Sequence, residues 1–200
     1  MELSDDQLTK LFESLKQESD RAAAVLGVAF LDALLEDAIA TRFVASFDRK
    51  IFENDGALAT FSRRIALTRA MGWIHQDTAS DLGIVRKVRN AFAHDYSHEL
   101  SFASEKINSF VQSLTTLAAA REALGPLFAW DKLTPEQRVV LEEARRNVTE
   151  PRGAFYLAVL ALSYAISGVR GVHVKASPEP ESSKEFAKRT IEAVLNGGDA

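Results

Sequence analysis

One short stretch of this 200-residue chain gathers residue types that can do chemistry. It reads Arg86-Lys87-Val88-Arg89-Asn90-Ala91-Phe92-Ala93-His94. Residues four apart share a face of an α-helix, so Arg86, Asn90 and His94 form one polar stripe. Val85, Val88 and Phe92 form the neighbouring apolar stripe, and Arg89 falls between the two. The polar stripe therefore borders a core. A histidine can move protons near neutral pH. An arginine can grip a phosphate with two parallel hydrogen bonds and offset charge that develops on it. Asn90 can orient the imidazole. Such a set suits cleavage of RNA by its own 2′-hydroxyl, which needs acid–base and phosphate-stabilising groups but no metal. One helix supplies one histidine, so two copies facing each other would be needed for both acid and base. A structural role fits the same residues. A histidine at a helix C-terminus is favoured by the helix dipole. Arg89 can pair with Asp32, Glu36 or Asp37, and Asn90 can bond to neighbouring backbone.

The elements that must position these residues read as helices throughout. Ser4-Asp5-Asp6-Gln7 is a capping box that opens a helix over about residues 5–18. Ser19 and Asp20 restart the chain, and Ala22 to Val44 is a long apolar-rich helix with Asp32, Glu36 and Asp37 on an acidic face. A helical turn is expected at Asp48–Glu53. Asn54-Asp55-Gly56 signals a turn. Leu58, Phe61, Ile65, Leu67 and Met71 recur at helical spacing and mark a helix that ends at Gly72, a natural left-handed position. Thr78-x-x-Asp81 is expected to cap the helix that carries the polar stripe to His94. Phe102 to Ala120 is again helical by spacing. Thr134-Pro135-Glu136-Gln137 opens a helix to about Asn147. The apolar run Ala154–Val169 is shorter than the roughly 20 residues of a membrane span, so a central core helix is expected. A proline-rich loop at 176–182 leads to a last, more polar and peripheral helix, Ser183–Asn196.

Composition narrows the function classes. With 46% apolar and 26% charged residues the chain is globular rather than disordered. The absence of cysteine excludes disulfides and thiolate metal sites. The acidic N-terminus lacks a secretory pattern, and a cytoplasmic location is expected. The net charge of −4 argues against a broad nucleic-acid clamp. Residues 61–95 nonetheless carry six basic and three acidic side chains, a basic island in an acidic protein. There Arg63, Arg64 and Arg86 extend a candidate binding surface with Arg89, Asn90 and His94. His94-x-x-x-His98 could share a metal only if the helix continued past Tyr96-Ser97, so no metal and no cofactor are expected. No glycine-rich phosphate loop, internal repeat or helix-turn-helix reader stands out.

Two resemblances add to this reading. Arg89-Asn90-x-x-x-His94 is similar to the Arg-x(4–6)-His motif of the HEPN superfamily of small, usually dimeric helical bundles. Many of those are metal-independent ribonucleases. The resemblance implies Arg89 and His94 as a catalytic pair, with Asn90 beside them. A longer stretch, from about Ala22 to Phe102, resembles the mannitol operon repressor family. It runs through Leu31-Asp32-Ala33-Leu34-Leu35-Glu36, Asp55-Gly56-Ala57-Leu58, Phe61-Ser62-Arg63-Arg64-Ile65-Ala66-Leu67, Gly72-Trp73-Ile74 and the Arg89-Asn90…His94-Asp95 helix. This likeness implies an all-helical transcriptional regulator of mannitol uptake and use. The expectation is one all-α, HEPN-like domain over 1–200, with its core at about 5–170 and about seven to nine helices. It would act as a homodimer on a regulatory protein partner or a nucleic acid, RNA rather than sequence-specific DNA, and away from membranes. The alternative is a HEPN-type endoribonuclease using Arg89 and His94.

Overall fold

The computed structural model describes residues 5–43, 46–96, 99–124, 133–171 and 182–195. Among them are nine α-helices and no strand, the all-α bundle that the spacing requires. The helices are α1 (Asp5–Gln17), α2 (Asp20–Ala40), α3 (Phe61–Ala70), α4 (Gln76–Ala93), α5 (Glu105–Gln112), α6 (Thr115–Ala123), α7 (Pro135–Thr149), α8 (Pro151–Gly171) and α9 (Ser183–Leu195). A short 3-10 helix, Arg49–Phe52, lies between α2 and α3.

Local chemistry sets several of these boundaries. Ser19 caps α2, accepting from the Ala22 N–H at 3.2 Å. Thr134 and Gln137 form both halves of a capping box at α7, at 3.3 and 2.9 Å. The Ser4 box and the loop at 176–181 lie outside the described residues. α3 ends in a six-to-one bond from the Trp73 N–H to the Thr68 carbonyl at 2.9 Å, with Gly72 at φ +66°. That left-handed turn is the reason for glycine there. Gly56 is required for a different reason. A β-carbon on it would stand 2.4 Å from the carbonyl oxygens of Lys50 and Ile51.

Several helix boundaries depart from the spacing, among them α2, which ends at Ala40 short of Val44, and α3, which starts at Phe61 after Leu58. α4 starts at Gln76 and is capped by His75, whose Nδ1 accepts from the Asp77 N–H at 3.2 Å. Thr78 and Asp81, expected as the cap, are buried inside the helix. The expected single helix Phe102–Ala120 is instead α5 and α6, broken at Ser113-Leu114. The reason is Asp81. Its carboxylate accepts from the N–H groups of Thr115 and Thr116, both at 2.9 Å, and from the Thr116 hydroxyl at 2.6 Å. A continuous helix would give those N–H groups to carbonyls four residues back. Once a buried carboxylate takes them, Thr115 opens a new helix.

The core forms around α2 and α8. Leu31, Leu35 and Ile39 of α2 are buried with Phe155, Val159, Leu162 and Ile166 of α8. The rings of Phe92, Phe102 and Phe155 form a chain with centroids 5.2 and 4.9 Å apart, tying α4 to α8. Pro151–Val169 is long and apolar enough to cross a membrane by length and composition, yet half of it is buried inside the bundle. Helices α2, α4, α5, α6, α7 and α9 all pack on α8, as a core helix requires.

The last carbonyls of a helix have no partner within it and favour a cation. Arginines on or just past neighbouring helices serve five such ends here. Arg152 donates to Leu15 and Lys16 of α1, at 3.2 and 3.3 Å. Arg21 donates to the Asp95 carbonyl just past α4. Arg145 reaches the Leu124 carbonyl after α6 at 3.4 Å, and Arg121 the Val148 carbonyl of α7 at 2.9 Å. Arg42 serves the Val169 carbonyl of α8 at 2.7 Å. These arginines hold helix ends to one another across the bundle.

Candidate functional site

The stripe expected on α4 is divided in two by its neighbours. Val85, Val88 and Phe92 face the core, as their spacing requires. Arg86 lines a shallow depression between α3 and α4, together with Arg69, Ser62 and Gly83. Asn90 and His94 line a different one, between α4 and α5, of about 510 Å³. A helix turns roughly 100° per residue, and this spreads Arg86, Asn90 and His94 over nearly a quarter of its circumference.

Arg89 lies on neither depression. From Arg89 to His94 the helix turns through roughly 140°. Arg89 sits instead close enough to Asp32 of α2 for its charge to act on that carboxylate. His94 is exposed and ends α4, its N–H directed to the carbonyls of Asn90 and Phe92. Arg89 and His94 of one chain thus share neither depression. His98, the second half of the metal spacing, lies outside the described residues. Among the described residues no group of three or more histidines and carboxylates could hold a metal.

Arg64 is a correction to the surface expected from sequence. It is 6% exposed and belongs to the interior. Its guanidinium pairs with Asp32 at 2.5 Å and Glu36 at 2.7 Å. It also donates to the carbonyls of Leu58 at 2.9 Å and Phe52 at 3.3 Å. Two of the three acids that Arg89 could have taken, Asp32 and Glu36, are thus held by Arg64. Burial pushes the Asp32 carboxyl above its ordinary range, and Arg64, the next largest influence, pulls it back. Arg64 directs its donors inward to these four groups. Its neighbour Arg63 is exposed, its guanidinium resting on the Gly56 carbonyl at 3.0 Å.

Sequence spacing missed Lys87 and Lys106. Both are exposed, and both line the α4–α5 depression with Asn90 and His94. Lys87 stood within the singled-out stretch but off its four-residue stripe. Lys106 is brought in from α5, which no spacing along α4 could reveal. Asp95 at the same place is engaged: it accepts from the Leu100 N–H at 3.2 Å and pairs with Arg21 at 3.6 Å. The site therefore presents net positive charge over an apolar floor of Ala91, Leu100 and Phe110.

No protein-family model matches the chain, and no curated protein matches it either. Among solved structures the fold is similar to that in the X-ray structure of the MtlR–HPr complex from Escherichia coli, with a TM-score of 0.53 over 82% of this chain and 98% of that one. At 17% identity the likeness is one of fold.

Proposed function

We infer that this chain is a mannitol-operon-repressor-like regulator of transcription that works by binding another protein. The observation that carries this reading is the fold shared with nearly the whole of an MtlR chain captured with HPr. The ordered sequence blocks between Ala22 and Phe102 support the same relation. MtlR is the mannitol operon regulator, and its partner in that complex is a protein. A protein partner also suits a sequence in which no helix-turn-helix reader stands out and whose net charge is acidic. The proposed contact surface is the basic side of α3 and α4, with Arg63, Arg86, Asn90 and His94. Self-association as a dimer belongs to this reading.

Titration calorimetry of the purified chain with HPr from the same cell tests it. Binding in the micromolar range is expected, and Arg63→Glu with Arg86→Glu should weaken it about tenfold at low salt. No heat at roughly 100 µM would remove HPr as the partner, since even a weak specific complex forms at that concentration. Unchanged transcripts in a strain lacking the gene would remove the regulatory reading itself.

One observation favours a second reading, metal-independent RNA cleavage by Arg89, Asn90 and His94. His94 and Asn90 open onto a basic depression, and a second chain could bring its own arginine to it. Incubation with labelled single-stranded RNA in EDTA should then give cleavage that both Arg89→Ala and His94→Ala abolish. Intact RNA of varied sequence would end this reading.

A further inference from the structure

We propose that the α4–α5 depression is a binding site for a small organic phosphate, one whose phosphomonoester is attached to a body with an apolar or aromatic face. The inference goes beyond partner binding and does not depend on it.

Arg21, Arg42, Arg64, Arg121, Arg145 and Arg152 all hold helix ends or half-buried acids. Lys87 and Lys106 do neither. Among the described residues, no hydrogen bond or ion pair is made by either ammonium, by the Asn90 amide or by the His94 ring. Four polar side chains from two helices thus converge on one concavity without a partner among the described residues. The one carboxylate there, Asp95, is neutralised by Arg21, so the cationic field is not cancelled from within.

The chemistry of the lining selects the ligand. Two lysines offer ammonium groups to a doubly charged phosphate. Asn90 can donate to a phosphate or ester oxygen. Beneath them Ala91, Leu100 and the half-buried Phe110 ring form an apolar floor that inorganic phosphate would leave wet. Burying one face of an organic group there supplies affinity that charge alone does not. About 510 Å³ suits a small molecule.

The probes are phenyl phosphate and inorganic phosphate, titrated into the full-length protein and followed by amide chemical shifts. Phenyl phosphate should bind saturably, roughly tenfold more tightly than inorganic phosphate. Its shifts should centre on Ala91, Leu100, Lys106 and Phe110. Lys87→Gln and Lys106→Gln should each weaken it about fivefold, with Lys188→Gln on α9 unchanged. Phe110→Leu should erase the preference for the phenyl compound while leaving inorganic phosphate as it was. Shifts scattered over other helices would overturn the proposal. So would full affinity in the double lysine variant, or no saturation at roughly 10 mM, where a millimolar site would be filled. Both lysines are exposed, so their variants keep the fold, and an unchanged thermal transition checks this. The titration contains neither HPr nor RNA, so its failure would leave both readings of function standing.

Discussion

Asp81→Ala is expected to destabilise the protein by about 3 kcal/mol, more than any surface substitution, since it strands several buried donors at once. Asp81 is fully buried. It holds two backbone N–H groups and one hydroxyl at the start of α6, and the Ser183 hydroxyl of α9 at 3.5 Å. One carboxylate on α4 therefore joins α6 and α9, and the Ser183 N–H adds a bond of 3.1 Å to Thr78 one turn earlier on α4. Urea denaturation measures the loss. Asn keeps an acceptor of nearly the same shape but only one oxygen, so Asp81→Asn should lose about half as much. Amide exchange should show α6 and α9 opening before α2 and α8 in the Ala variant. A loss below about 1 kcal/mol would mean that this junction does not hold the helices.

Arg64→Met is expected to cost a similar amount, about 3 kcal/mol near pH 7, and the cost should shrink in acid. Removing the guanidinium leaves Asp32 and Glu36 facing each other without their shared cation. The sign follows from Asp32. Burial raises its pKa in the folded protein, with Arg64 opposing the rise. The folded state then holds this proton more tightly than the unfolded chain does. Stability from this group is complete below its ordinary value of 3.8 and is lost as pH rises through the folded value. In the variant the opposing pull is gone, so Asp32 rises further and the window of loss widens upward. Urea denaturation of wild type and variant at about pH 7 and about pH 4 tests this. An equal difference at both pH values would show that the lost interaction is not with ionised carboxylates.

These two residues mark where reading along the chain stops. Helix periodicity along α2, α4 and α8, the Thr134 capping box and the left-handed Gly72 were legible because each depends on neighbours within a few residues. The all-helical bundle follows from them. The buried stripe of α4 followed as well, and with it the approximate placing of Asn90 and His94 at its edge. Nothing local distinguishes Arg64 from Arg63, or Asp81 from a helix cap. Their roles are set by groups 32 and 35 positions away, at Asp32 and Thr116. The break between α5 and α6 was hidden for the same reason, since a carboxylate on another helix competes for the N–H groups that spacing assigns to a continuous one. Tertiary structure alone decided which cations are spent inside the bundle and which remain for a ligand. Helices lend their ends to whichever arginine the packing brings near, and that proximity is a property of the bundle, not of any segment.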